Sequence, residues 1–152
     1  MKQIEEQQVT AQLELWTVNS MVYTTYLSNL KNLPNDEQTI KYLITRWKPR
    51  NTIDVNKYGI IWAPQLAPTE LTLSRYKDGT IDWQEYRKLF IDESFENKLF
   101  IDAVEEIIKL NDDGYDIFLI CYEKDDLMCH RSILREILHF NDCECEEYRK
   151  ED

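Results

Sequence analysis

The run Tyr115–Cys121 (YDIFLIC) is the feature that most constrains the fold of this chain. It is a short apolar segment, preceded by a turn, and it predicts a buried strand. Helices are predicted on both sides of it, over Lys98–Leu110 and Leu127–Phe140, because apolar side chains recur there three and four residues apart. Strands separated by helices indicate a mostly parallel sheet that is covered on both faces.

Other segments continue this alternation. Further strands are predicted at Gln12–Val18, at Thr39–Thr45 and, as a final edge strand, at Cys143–Tyr148. A helix or helical turn is predicted over Met21–Leu33, and further helices from Thr69 to Lys77 and from Asp82 onward. We therefore expect a small three-layer α/β domain with a short, mostly parallel sheet covered by helices. We expect residues 1–152 to form this single domain, with a flexible N-terminus over residues 1–11 and an acidic tail over residues 142–152.

The length and charge of the chain exclude several classes of protein. A chain of 152 residues can bury about 68–70% of its unfolded surface, so it needs neither metal nor disulfide to fold. Its net charge of −11, from 18 basic and 29 acidic residues, argues against general coating of DNA and against attraction to anionic membranes. The sequence has no apolar run near the ~18–20 residues of a membrane span, and its polar start is not a secretory signal. We expect a cytoplasmic protein without membrane contact.

Cysteine and glycine usage narrows the chemistry. The four cysteines lie within the last 32 residues, whereas a disulfide framework would spread them along the chain, so we interpret them as reduced thiols. The three glycines are scattered. A glycine-rich dinucleotide fingerprint and a phosphate-binding loop are therefore excluded, because both need clustered glycines.

A basic segment, residues 41–50, begins within the predicted strand at residues 39–45 and continues past its end. Lys41, Arg46, Lys48 and Arg50 stand there without an intervening acid. Arginine binds phosphate and carboxylate through two parallel hydrogen bonds. We predict that Arg46 and Lys48 bind an anionic ligand; the alternative is a solvated loop whose bases pair with neighbouring acids.

The segment CYEKDDLMCHR, from Cys121 to Arg131, carries the densest chemistry of the chain. The predicted strand ends in Cys121, and Cys129, His130 and Arg131 fall at the start of the last helix, where backbone N–H groups favour an anion or a thiolate. We predict Cys129 and His130 as catalytic residues. The alternative is that the cysteines and His130 are buried packing residues.

The same segment and the end of the preceding strand supply the other predicted ligand contacts. We predict Arg131, Cys121 and Glu123 as ligand-binding residues. Ligands of parallel α/β sheets bind beyond the carboxyl ends of the strands, so we expect Arg46 and Arg131 to approach one another there. Tyr and Trp residues stand at helical spacings and are interpreted as core.

Three stretches together resemble one known family. They are Cys121–Arg131, the segment Ile44–Trp47 with Pro49, and the middle region from Leu66 to Tyr86 with its Tyr76–Trp83 motif (YKDGTIDW). This combination resembles the bacterial, archaeal and phage family catalogued as domain of unknown function 488, over roughly residues 12–141. The resemblance implies a small α/β fold and brings no established activity, substrate or cofactor.

Cys143, Glu144 and Cys145 raise the question of a metal. With Cys121, Cys129 and a histidine they would supply enough ligands for tetrahedral zinc. Their spacing is not that of a zinc ribbon or finger, and the core needs no metal. We therefore expect no metal and no cofactor.

Two main functional hypotheses follow, and a metal-stabilised adaptor is a third possibility. The first is a domain that binds or acts on an anionic ligand, such as a nucleotide or a nucleic-acid end, with Arg46 and Arg131 holding the anion. The second is an acidic interaction protein, of the kind phages encode, that occupies the nucleic-acid-binding surface of a host partner through its acidic face. The sequence sets no oligomeric state.

Overall fold

The computed structural model describes residues 20–48 and 57–149. These residues form a five-stranded sheet in the order β3-β2-β4-β1-β5, and every neighbouring pair is parallel. The strands are β1 (Val22–Tyr26), β2 (Thr39–Leu43), β3 (Ile60–Trp62), β4 (Asp116–Cys121) and β5 (Cys145–Glu147). The predicted α/β class with a parallel sheet is confirmed.

Four α-helices are present in the described part of the chain: α1 (Glu70–Lys77), α2 (Trp83–Phe95), α3 (Lys98–Asp112) and α4 (His130–Phe140). Polar side chains fix where the first three begin, because Thr69, Asp82 and Asn97 each accept a hydrogen bond from a first-turn N–H group. Gly114 follows α3 with a φ of 101°, a conformation that glycine adopts without strain. Short 3₁₀ helices lie at Leu27–Asn32 and Pro64–Leu66.

The central strand β4 separates two apolar clusters. Ile117, Leu119 and Cys121 point into the larger one, which the four helices cover, while Phe118 and Ile120 point into a smaller one beneath the first 3₁₀ helix. All five side chains are at most 1% exposed. This burial on both faces explains the continuous apolar run of this strand, and the three-layer expectation is confirmed.

Parallel pairing brings the carboxyl ends of three strands to one edge of the sheet. Tyr26 of β1 stands opposite Cys121, and Leu43 of β2 stands opposite Ile120. The alignment continues past β2, where the N–H group of Ile44 donates to the carbonyl oxygen of Ile120 at 2.9 Å. The residues that follow β2 and β4 are thereby neighbours in space.

Most predicted elements are confirmed, including the strands at residues 39–45 and 115–121 and the edge strand near the C-terminus. The prediction of a helix or helical turn over Met21–Leu33 is wrong for its first part, which is β1, whose sequence VYTTY is rich in β-branched and aromatic residues. Its second part is the 3₁₀ helix Leu27–Asn32. The last helix begins at His130, three residues later than predicted. The short strand β3 was not predicted, and the strand predicted at Gln12–Val18 lies outside the described residues.

No helix in the described ranges is long and apolar enough to cross a bilayer.

We expect truncation of the central strand to destabilise the fold strongly. Leu119 is fully buried in β4, so Leu119→Ala should lower the free energy of unfolding by about 2–5 kcal/mol through lost apolar contact and a residual cavity. Urea unfolding followed by circular dichroism measures this change. The control is Leu99→Ala on α3, whose side chain is 67% exposed and which should change stability by less than about 0.5 kcal/mol. Equal losses in the two variants would contradict the assignment of β4 as the central buried strand.

Candidate functional site

The candidate site lies where β4 ends and α4 begins. Cys121 is the last residue of β4, and the loop after it returns to Cys129, which occupies the N-cap position of α4. His130 is the first residue of that helix. Strand end, helix start and the neighbouring end of β2 are all regular elements, so the three side chains are held by a rigid frame.

The ligand-type atoms of Cys121, Cys129 and His130 all lie within 4.8 Å of one another. The sulfur of Cys121 is 3.7 Å from Nδ1 and 3.5 Å from Nε2 of the His130 ring, and the sulfur of Cys129 is 3.9 Å from Nδ1. The three residues are 0%, 3% and 6% exposed, respectively. The predicted catalytic pair and Cys121 therefore form one compact, nearly dry group.

The orientation of His130 is fixed by a backbone carbonyl. Its Nε2 lies 2.6 Å from the carbonyl oxygen of Ile44, which follows β2. A carbonyl oxygen accepts only, so Nε2 carries the proton, and Nδ1, which faces the sulfurs, is the acceptor in the neutral ring. The ring of Phe90 packs against the imidazole edge-to-face, with centroids 5.8 Å apart.

The surroundings shift the pKa values of the Cys121 and Cys129 thiols in opposite directions. A hydrogen bond from Cys121 lowers the pKa of Cys129, and although burial opposes this, His130 and the backbone N–H of Arg131 lower it further. Burial raises the pKa of Cys121 well above its ordinary value. Burial also lowers the pKa of His130, but its contacts with Cys129 and the Ile44 carbonyl outweigh burial, and the net pKa is raised. Of the two thiols, Cys129 is therefore the more acidic, and His130 lies beside it as a proton acceptor.

Arg131 is fully buried behind this group. Its guanidinium donates to the carbonyl oxygens of Glu123 and Lys124 and to both carboxylate oxygens of Glu147 on β5, at 2.6–3.1 Å. These bonds attach the loop after β4 and the edge strand to α4. The guanidinium faces this loop and β5, and Arg131 is not among the residues that line the cavity described next.

A cavity of about 370 Å³ opens in front of Cys129 and His130. Besides Cys129 and His130, its walls contain four aromatic, two basic and two acidic side chains, with Thr45, Leu73 and Met128 between them. The aromatic, basic and acidic residues are Trp47, Tyr76, Tyr86, Tyr122, Arg46, Lys77, Glu123 and Asp125. The carboxylate of Glu123 reaches to 3.7 Å from the Cys129 sulfur. This volume lies at the lower end of the range typical of small-molecule sites.

The residues that follow β2 and β4, together with the end of α1, form a further part of the cavity wall. Arg46 extends from the end of β2 and donates to the carbonyl oxygens of Pro68 and Ala67 at 2.8 and 3.0 Å. Lys77 lies over the ring of Trp47, 5.8 Å from its centroid. Tyr122 donates from its hydroxyl to the carbonyl oxygen of Trp47 at 3.2 Å. A stacking surface and two positive charges are therefore adjacent.

The predicted site residues divide into three groups. Cys129, His130, Glu123 and Arg46 line the cavity, Cys121 lies directly behind Cys129, and Arg131 and Lys48 do not line it. Lys41 is buried in β2 at 4% exposure, and Arg50 lies outside the described residues. The predicted roles of Lys48 and Arg131 in holding a ligand stay predictions.

Sequence reasoning missed the aromatic wall. Tyr86 is buried in the core and Tyr76 packs against it, as interpreted, but both also line the cavity beside Trp47, and the rings of Tyr76 and Tyr86 stack at 4.3 Å. Helical spacing alone does not distinguish a ring in the core from one at the edge of a cavity. The signal that was present is the position of Trp47 directly after Arg46, beyond the end of a strand.

A family model described as "Active DUF488-N3 subclade" matches residues 25–142, which is more than half of the chain. The chain belongs to the DUF488 family. The matched segment runs from the end of β1 through α4 and includes every residue of the cysteine–histidine group. No curated protein and no solved structure gives a significant match.

We expect the Arg131 pair to be a strong determinant of stability. Arg131→Met removes the buried guanidinium from its ion pair with Glu147 and leaves this carboxylate with Thr24 and a longer, 3.6 Å contact to Arg135. Loss of one member of a buried ion pair costs about 3–5 kcal/mol. The matched control is Arg87→Met, which removes an ion pair with Glu136 whose two side chains are 45% and 59% exposed and should cost less than about 1 kcal/mol. Urea unfolding of both variants tests this. Equal, small losses would show that the Arg131 interaction does not anchor the loop and β5.

Proposed function

We propose that the protein acts on a nucleotide or a nucleic-acid end bound in the cavity, with Cys129 as the nucleophile and His130 as its proton partner. The observation that carries this proposal is the position of the Cys129–His130 pair in the wall of a cavity that also presents stacking rings and two basic side chains. An acidic protein that coats DNA would need a basic stripe, whereas a pocket for one nucleotide needs only local positive charge.

The aromatic and basic wall suggests how such a ligand binds. Aromatic side chains can stack on any nucleobase. In this cavity Trp47, Tyr76 and Tyr122 would provide such a surface. Arg46 and Lys77 would bind the phosphate, with Lys48 adding positive charge from the same loop as Arg46. Glu123 would accept hydrogen bonds from sugar hydroxyls. Arg131 would act as a positioning residue, because it holds the loop that carries Glu123.

The Cys129–His130 pair supports covalent catalysis. The thiol proton passes to Nδ1 of His130, and the sulfur electron pair forms a bond to the electrophilic centre of the ligand as the bond to the leaving group breaks. The imidazolium then returns the proton to the leaving group. Water cleaves the covalent intermediate, regenerating the thiol. Cys121, whose thiol hydrogen-bonds to Cys129, stabilises the thiolate.

Binding should depend on Arg46. We expect the wild-type protein to bind a nucleoside monophosphate or a 5′-phosphorylated oligonucleotide, and Arg46→Gln to weaken binding about tenfold or more, because a hydrogen bond to a charged group is worth about 1.5–3 kcal/mol. Isothermal titration calorimetry measures the dissociation constants. The control is Lys98→Gln on α3, whose side chain is 88% exposed. Failure of the wild type to bind either ligand would contradict the proposal and favour the interaction-protein hypothesis.

Cys129 should be the most reactive thiol of the folded chain. In chelator-treated native protein, iodoacetamide should modify Cys129 before Cys121, Cys143 and Cys145, as read by peptide mass spectrometry. His130→Gln should slow the modification of Cys129 about tenfold or more, since general-base assistance is worth about 10²–10⁴-fold in rate. The control is Cys145→Ser, which should leave the Cys129 rate unchanged. Modification of the tail cysteines first would contradict the nucleophile role.

A further inference from the structure

We infer that Cys121, Cys129 and His130 form a binding site for one Zn²⁺ ion per chain, with the fourth coordination position facing the cavity. This inference goes beyond the proposed function and does not rest on it. The ion would occupy the Cys129 sulfur and Nδ1 of His130, so the covalent step proposed above belongs to the metal-free protein. It also departs from the expectation of a metal-free protein, which considered the sequence spacing of the cysteines and not their placement in space.

The distances between the three side chains fit a tetrahedral ion. Zinc binds sulfur at about 2.3 Å and nitrogen at about 2.0–2.1 Å, so two ligands of a tetrahedron lie about 3.6–3.8 Å apart. The two sulfurs are 3.7 and 3.9 Å from Nδ1 of His130, and the whole group lies within 4.8 Å. Small side-chain rotations would bring all three atoms onto one ion.

The second coordination shell is already in place. Histidines that bind zinc through one ring nitrogen almost always donate the other N–H group to a carboxylate or a carbonyl, which fixes the ring. His130 has this arrangement, since its Nε2 bonds to the carbonyl oxygen of Ile44 at 2.6 Å. With the proton on Nε2, the Nδ1 lone pair is free to bind a metal ion, and the two sulfurs lie 3.7 and 3.9 Å from this atom.

The charge of the three side chains and their place beside the cavity favour a zinc ion whose fourth coordination position is not filled by one of them. Two thiolates neutralise the divalent ion, which a nearly dry site requires. Three protein ligands with an open fourth position are typical of catalytic zinc sites, whereas structural sites use four. The open side faces the cavity, where the Glu123 carboxylate lies 3.7 Å from the Cys129 sulfur. A water molecule or this carboxylate would complete the tetrahedron.

The tail cysteines do not belong to the site. Neither Cys143 nor Cys145 is in the group of three. The Cys143 sulfur lies 4.0 Å from the side-chain oxygen of Asn111, near the C-terminal end of α3. Both cysteines therefore serve as internal controls for any thiol–metal signal.

The test is a cobalt titration of the full-length, chelator-treated protein. We expect one Co²⁺ per chain, with a sulfur-to-cobalt charge-transfer band and the intense visible bands of tetrahedral cobalt, and displacement of both by Zn²⁺. Cys121→Ser, Cys129→Ser and His130→Gln should each weaken binding strongly or remove these bands. Cys143→Ser and Cys145→Ser should keep the wild-type spectrum.

A second measurement covers the case in which a variant of the buried group fails to fold. In the wild-type protein, zinc should protect Cys121 and Cys129 from iodoacetamide while Cys145 is still modified. The inference is overturned by a wild-type titration without the sulfur-to-cobalt band, or by a band that the tail-cysteine variants remove. The alkylation of metal-free protein described above tests the nucleophile separately, so either proposal can fail alone.

Discussion

The structure depends on the pairing of β4 with a parallel neighbour on each side. Both faces of this strand are buried and both of its edges are hydrogen-bonded to β1 and β2. A parallel strand in the centre of a sheet leaves only its ends for polar chemistry. In this protein the carboxyl end is Cys121, and the elements that surround it are the end of β2 and the start of α4. The site is a consequence of where the central strand stops.

The buried guanidinium of Arg131 is the second constraint. A charge without solvent must be paired and hydrogen-bonded, and Arg131 meets this requirement with two loop carbonyls and the carboxylate of Glu147. Arg135 extends the same network, because it contacts Asp126 and Glu147. The loop between β4 and α4 is therefore held at several points. This fixes the backbone that carries Glu123 and Cys129.

The sequence was sufficient for the fold class and for the cysteine–histidine group, for one physical reason. A continuous apolar strand between helical stripes requires a parallel sheet, and a parallel sheet brings its carboxyl ends together. The sequence was insufficient for predicting contacts between side chains that are distant in the chain. Glu147 became the partner of Arg131 only through the pairing of β5 with β1, so Arg131 was predicted as a ligand contact and is found in a buried network. Val22–Tyr26 was predicted as part of a helix or helical turn, although its β-branched and aromatic residues favour a strand, and in the structure it is paired with β4.

The hydrogen bond between His130 and the carbonyl oxygen of Ile44 joins residues that are 86 positions apart. The tautomer of the imidazole is therefore selected by a different strand, and only once that strand is paired. In an unfolded chain the same histidine has no fixed tautomer, and the thiol next to it is an ordinary cysteine. The chemistry of this site is thus conditional on folding. A nascent chain carries four ordinary thiols, and the contact between His130 and Ile44 that orients the imidazole beside Cys129 exists only after β2 and β4 have joined.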